Sequence, residues 1–166
     1  MCLISLMVKS KWKKFTPTTQ YLAVVEDIKT IKQLDTFMDK IKYVSEKVDK
    51  WDTPEEVILN GSCDCDGYAR LAMDILERVQ NRKDVRFVYY EGYYMEDGKQ
   101  KRSAHAVAVF TYLGKLAVFD NNRLMINKDS YEDIGHIFYP KGLKYVTIIN
   151  SKGKIVSSRH LWFGTF

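Results

Sequence analysis

Three side chains of this sequence have types and positions that could together perform nucleophilic chemistry: Cys65, His105 and Asp120. Cys65 lies in the segment SCDCDGYA, residues 62–69, where a helical pattern begins. The unpaired N–H groups and the dipole of a helix N-terminus stabilise a thiolate and lower its pKa. We therefore predict that Cys65 is the nucleophile and that its own backbone N–H can donate to an oxyanion.

A thiol nucleophile needs an imidazole to take its proton and a third group to orient that imidazole. His105 heads the apolar segment AHAVAV, residues 104–109, and Asp120 ends the next predicted strand. Adjacent antiparallel strands can bring two such side chains together at one sheet edge. We expect the Cys65 sulfur about 3 to 4 Å from one imidazole nitrogen, and an Asp120 oxygen about 3 Å from the other.

The other cysteines fit no alternative site. Cys2, Cys63 and Cys65 make an odd count, which is not a disulfide framework, and the C-x-C pair lacks a second ligand pair at zinc-site spacing. We interpret Cys63 as structural. Trp51 is either a donor of its indole N–H to the oxyanion or a core aromatic, and the second interpretation is the simpler one.

The first half of the chain predicts helices that could position the nucleophile. Apolar residues at spacings of three and four predict a helix over residues 30–49. The segment TPEE at residues 53–56 has an N-cap, a proline at the first helical position and a capping box, and Gly61 ends the short helix that follows. A further long helix begins near Asp64.

The second half predicts strands, and the apolar N-terminus, residues 1–8, predicts a strand or an N-terminal arm. The predicted strands cover residues 85–94, 104–113, 116–119, 143–150 and 155–159. Helices followed by a run of antiparallel strands indicate the α+β class. The length, without repeats or a linker, predicts one domain over residues 1–166.

Four ordered motifs resemble the transglutaminase-like superfamily. The frame DCDGYA, residues 64–69, resembles its nucleophile motif, and the upstream WDTPEE, residues 51–56, is similar to the bacterial branch, the transglutaminase-like cysteine proteinases. The segments HAV at 105–107 and FDN at 119–121 resemble the histidine and aspartate strands of that branch. The resemblance implies a papain-like α+β core, with the nucleophile helix packed on an antiparallel sheet and a Cys-His-Asp catalytic triad.

Two positions depart from the family pattern, because Cys63 stands where a Gly is usual and Gly67 where an acidic residue is common. Some members bind calcium through acids that flank the nucleophile. Asp64 and Asp66 match those acids, although Asp64 also fits a helix N-cap. We expect no required cofactor, and calcium near Asp64 and Asp66 is the alternative.

The predicted function is that of a thiol-dependent amide hydrolase, a cysteine peptidase or a deamidase, acting on a protein or peptide through a thioester. An amine acceptor in place of water would make the enzyme a transglutaminase. A non-catalytic protein- or nucleic-acid-binding module on the same fold is the alternative from another class. The oligomeric state stays open.

Composition bears on partners and location. The net charge is +5, but acidic residues are interleaved with the basic ones, which argues against nucleic acid as the partner. No segment has the length of a membrane span or the features of a secretion signal, and cysteines are few, so we expect a cytoplasmic protein.

Overall fold

The computed structural model describes residues 7–8, 10–45 and 50–161, and a six-stranded antiparallel sheet is its largest element. The strands are β1 (Lys42–Tyr43), β2 (Ser62–Cys63), β3 (Arg86–Glu96), β4 (Lys99–Tyr112), β5 (Lys115–Asp120), β6 (Arg123–Lys128), β7 (Leu143–Ile149) and β8 (Ile155–His160). The large sheet has the order β6-β5-β4-β3-β7-β8, while β1 and β2 form a separate parallel pair.

The helices are α1 (Thr19–Val25), α2 (Ile31–Met38), α3 (Pro54–Asn60), α4 (Cys65–Arg78) and α5 (Tyr131–Phe138). The predicted capping box starts α3: the Glu56 N–H donates to Thr53 Oγ1 at 3.3 Å, and the Thr53 N–H donates to Glu56 Oε2 at 2.7 Å. Gly61 ends α3 with a φ of 62°, a left-handed conformation that glycine adopts without strain. None of the described helices has the length and apolar content needed to cross a membrane.

Helix α4 covers one face of the sheet and α5 covers the other. Alternate residues of β4 belong to the two cores: Ala106 and Ala108 pack with the α4 core, and Val107 and Val109 pack with the α5 core. The alanines leave room for α4 to approach the sheet closely, because they add little bulk beyond the backbone. The result places the first turn of α4 beside the middle of β4.

The α+β class and the nucleophile helix on an antiparallel sheet are confirmed. The single helix predicted over residues 30–49 is wrong, because α2 ends at Met38 and the chain then pairs β1 with β2; residues 46–49 lie outside the described part. The prediction for residues 1–8 falls mostly on undescribed residues, and Met7 and Val8 are helical. Strand β6 and helix α5 were not predicted.

Candidate active site

Cys65 is the first residue of α4, and Asp64 is the N-cap. The Asp64 carboxylate accepts a hydrogen bond from the Asp66 N–H at 3.3 Å, which satisfies one of the unpaired donors of the first turn. The helix is anchored one turn later, where the Tyr68 hydroxyl donates to the carbonyl of Ile41. The thiol is therefore fixed in position by a capped, packed helix rather than by a loop.

The surroundings of the Cys65 thiol oppose its ionisation. Burial, with a smaller contribution from the carboxylates of Asp64 and Asp66, raises the pKa of Cys65 to about 12. The backbone N–H of Ala106 hydrogen-bonds to the thiol and acts in the opposite direction. The helix N-terminus was expected to lower this pKa, but burial and the two carboxylates outweigh that effect.

His105 and Asp120 are in contact. His105 Nε2 lies 2.7 Å from Asp120 Oδ1, and both side chains are mostly buried, with 18% and 19% of their surface exposed. The ring of Phe138 packs edge-on against the imidazole, with the centroids 4.4 Å apart. This arrangement holds the imidazole from two sides and leaves Nδ1 as the nitrogen that Asp120 does not engage.

Ala106 connects the two halves of the candidate site. Strand alternation places His105 on the same face as Val107, towards α5, whereas Cys65 packs with the α4 core. Strand β5 pairs with β4 only from Ala108 onwards, so β4 has an open edge at Ala106, where the thiol sits. The thiol and the imidazole thus approach one strand edge from either side of the sheet, and the sulfur-to-imidazole contact stays a prediction.

Cys63 and Gly67 lie close together, and the side chain of one limits the size of the other. Cys63 is buried, and burial raises the pKa of its thiol well above the ordinary value, as expected for a structural cysteine. A Cβ at position 67 would lie 2.6 Å from Cys63 Cβ and 3.0 Å from its sulfur. The Cys63 side chain therefore occupies the space that a side chain at position 67 would need.

Trp51 is 1% exposed and packs in the α4 core, with its ring 5.1 Å from that of Phe87 and 6.1 Å from that of Trp12. These contacts fit the interpretation of Trp51 as a core aromatic. Cys2 lies outside the described residues.

Two tyrosines beside the site were missed by the sequence interpretation. Tyr139 lines a cavity of about 440 Å³ together with His105 and Asp120. Tyr43, 55% exposed, pairs with Cys63 in the parallel ladder. Partial burial of its hydroxyl raises the pKa of its phenol, and a Cys65 thiolate and the Asp64 carboxylate act in the same direction. Neither residue belongs to a recognised motif, so only the folded chain brings them to the nucleophile.

Comparison with known proteins agrees with this architecture. A family model described as "Transglutaminase-like domain" matches residues 13–151. Calcium-bound LapG of Legionella pneumophila superposes with a TM-score of 0.52 and 18% identity, over 89% of this chain and 82% of LapG. A second LapG structure gives 0.52 and 17% over the same shares. An EGTA-treated form gives 0.48 and 14%, over 95% and 88%. No curated protein matches the chain.

The comparison corrects the expectation that no cofactor is required, because the calcium-bound LapG shows that a protein of this fold binds calcium. Within the described part of this chain, no three His, Cys, Asp or Glu side chains group closely enough to hold a metal ion. The acids next to the nucleophile, Asp64 and Asp66, are therefore too few to form a metal site by themselves.

Proposed function

Because the chain belongs to the family of transglutaminase-like domains, we propose that it is a thiol-dependent amide hydrolase in which Cys65, His105 and Asp120 are the catalytic residues. The observation that carries the proposal is the 2.7 Å contact between His105 Nε2 and Asp120 Oδ1. That contact fixes the imidazole tautomer and directs Nδ1 away from the carboxylate, as an imidazole serving a thiol requires. The cytoplasmic location and the single domain expected from the sequence are parts of the same proposal.

In the first half-reaction His105 Nδ1 takes the Cys65 proton and the sulfur attacks the amide carbonyl carbon. A carbon–sulfur bond forms, the carbonyl π electrons move to oxygen, and the resulting oxyanion is held by the backbone N–H of Cys65. Collapse of this intermediate breaks the carbon–nitrogen bond. The leaving nitrogen takes the proton from His105, and a thioester remains on Cys65.

In the second half-reaction water attacks the thioester. His105 accepts a proton from that water, the carbon–sulfur bond breaks, and the proton returns to the sulfur as the carboxylic acid leaves. The Asp120 carboxylate stabilises the imidazolium that forms in each half-reaction. Atoms and protons balance, and Cys65 is regenerated.

Two cavities on the surface beside His105 bear on the choice of substrate. The cavity at His105 adjoins a second, mainly apolar cavity of about 670 Å³, and Tyr94 lines both. Met95 borders the second cavity and is 67% exposed. An exposed apolar surface near the proposed catalytic histidine is a natural binding site for substrate side chains. We therefore assign protein or peptide amides as the substrates.

Calcium enters the proposal only by comparison with LapG. A calcium ion takes about six to eight oxygen ligands, whereas the described residues offer no cluster of three His, Cys, Asp or Glu side chains. Asp64 also already serves as the helix N-cap. The side chains of the described residues do not fit a calcium site on their own, and no step of the mechanism passes through the ion.

The test offers glutamine-containing peptides with and without a labelled primary amine, in the presence of calcium and in the presence of EGTA. We expect cleavage or ammonia release that is lost in Cys65→Ala and retained in His160→Ala, since His160 stacks on Tyr145 on strand β7, away from the His105–Asp120 pair. Hydrolysis should exceed amine incorporation, because a chain of net charge +5 repels a protonated amine acceptor. Faster incorporation of the amine would indicate a transglutaminase instead. Absence of both reactions in every condition would refute the proposal and favour a binding module.

A further inference from the structure

We propose that the Tyr139 hydroxyl is a second donor to the oxyanion, alongside the backbone N–H of Cys65. This inference rests on the proposed function, because an oxyanion forms only if Cys65 attacks a carbonyl. An acyl-transfer site usually presents more than one donor to the developing negative charge, and tyrosine hydroxyls are among the side chains that serve. Trp51, the donor considered from the sequence, packs inside the α4 core.

Tyr139 is held rigidly by two neighbours on adjacent strands. Its ring rests on Gly92 of β3, where an added Cβ would come within 2.6 Å of Tyr139 Cγ. Its hydroxyl lies 2.9 Å from Ser103 Oγ of β4, and Ser103 pairs directly with Gly92 in the ladder. Only 3% of Tyr139 is exposed. The strand pair thus provides both a space for the ring and a partner for the hydroxyl.

The same contacts place the hydroxyl on the side of the catalytic imidazole. Ser103 and His105 are two residues apart on β4 and therefore share one face of the sheet. Tyr139, Ser103, His105 and Asp120 line one cavity of about 440 Å³. Cys65 does not line this cavity, but it lies close enough to Tyr139 for a charge on its sulfur to raise the Tyr139 pKa. A substrate carbonyl held between the Cys65 sulfur and the His105 imidazole would therefore approach the Tyr139 hydroxyl.

The protonation state of Tyr139 suits a donor. Burial raises the pKa of Tyr139, a hydrogen bond from Ser103 partly opposes that change, and the nearby Cys65, when it is a thiolate, raises the pKa further. The phenol therefore keeps its proton at neutral pH. If the Ser103 hydroxyl donates to Tyr139 Oη, the phenol proton is left to point into the cavity. No proton transfer is needed: the phenol donates a hydrogen bond while the oxyanion exists and keeps its proton when the carbonyl reforms.

The test compares two reactions of Cys65 that differ only in whether an oxyanion forms. Acylation by p-nitrophenyl acetate passes through a tetrahedral oxyanion, whereas alkylation by iodoacetamide displaces iodide and forms none. Removing one oxyanion donor costs about 10²- to 10³-fold in rate in acyl transfer. We therefore expect Tyr139→Phe to slow acylation about 10²-fold and to change alkylation less than about twofold. Ser103→Ala should slow acylation about tenfold, because the phenol remains but is no longer oriented.

Tyr90→Phe is the matched control, since Tyr90 is also buried and its hydroxyl donates to the carbonyl of Tyr131 at 2.9 Å, away from the cavity. It should lose a similar amount of thermal stability and acylate at the wild-type rate. If Tyr139→Phe acylates like the wild type, or slows both reactions equally, the inference is wrong and the proposed function is untouched. If Tyr139→Phe does not fold, an unchanged ratio of acylation to alkylation in Ser103→Ala overturns the inference. A wild-type enzyme that is not acylated at Cys65 refutes both.

Discussion

Replacement of His105 by alanine should greatly slow the alkylation of Cys65 at neutral pH. The thiol is half-buried near the carboxylates of Asp64 and Asp66, and these surroundings alone raise its pKa from 9.0 to about 12. That change corresponds to about 4 kcal/mol against the thiolate. The proposed imidazolium of His105 is the cation that offsets this cost. Without it, the full free-energy cost of ionising the Cys65 thiol remains.

The size of the effect follows from the same pKa. With a pKa of about 12, only about one thiol in 10⁵ is ionised at pH 7. A thiolate paired with an imidazolium, with a pKa of about 6, is mostly ionised there. A thiolate of higher pKa is the stronger nucleophile. With a Brønsted coefficient of about 0.4 to 0.5, each thiolate in the variant reacts roughly 10² to 10³ times faster, which offsets part of the loss in thiolate fraction. The net expectation is an alkylation rate about 10²-fold lower in His105→Ala.

The assay measures iodoacetamide labelling of Cys65 by peptide mass spectrometry between pH 5 and pH 10. In His105→Ala the thiolate is the minor form, so the rate should rise about tenfold for each pH unit. The wild-type rate should be nearly constant once the ion pair has formed. His160→Ala is the histidine control and should label like the wild type. Cys63 serves as an internal reference, because burial raises its pKa well above the ordinary value and it should label last.

The reasoning is refuted if His105→Ala and the wild type label at rates within about threefold of each other and with the same pH dependence. That outcome would mean that the imidazole does not face the sulfur across the β4 edge. Preferential labelling of Cys63 would contradict the assignment of Cys65 as the nucleophile.

Two further predictions concern the residues around the nucleophile. Asp64→Asn keeps an efficient N-cap but removes a charge that raises the Cys65 pKa. In the His105→Ala background it should therefore accelerate iodoacetamide labelling of Cys65 at pH 7 several-fold and leave the melting temperature nearly unchanged. Slower labelling would contradict this account. Gly67→Ala should destabilise the fold by about 1 to 3 kcal/mol because its Cβ would meet Cys63. In a double-mutant cycle measured by urea unfolding, Cys63→Gly should relieve that loss. Strictly additive effects would show that the two positions are independent.

Local sequence signals predicted the elements that carry the nucleophile. The capping box at Thr53 and Glu56, the left-handed Gly61 and the N-cap at Asp64 are all present at the predicted positions. These features depend on neighbours three residues apart or fewer, so the sequence contains them almost completely. The pairing of His105 with Asp120 was also expected, because one short turn connects the strands that carry them.

Features that depend on distant parts of the chain were not predicted. The apolar stripe over residues 30–49 continued past Met38, but the structure ends the helix there because the next residues pair with β2. Helix α5 has only eight residues, too few for its periodicity to distinguish it from a loop. Tyr139 follows this helix, so its place beside His105 could not be read from the sequence.

The reactivity of the Cys65 thiol also depends on parts of the fold that local sequence does not reveal. The motif around Cys65 predicts activation, since a helix N-terminus favours a thiolate. In the folded chain the sulfur is also partly removed from water and lies near Asp64 and Asp66, and these effects outweigh the dipole. A site with this balance keeps its nucleophile neutral until an imidazole accepts the proton. Nucleophilicity therefore depends on the register of β4 as much as on the cysteine itself, because that register sets how close His105 comes to the sulfur at Ala106.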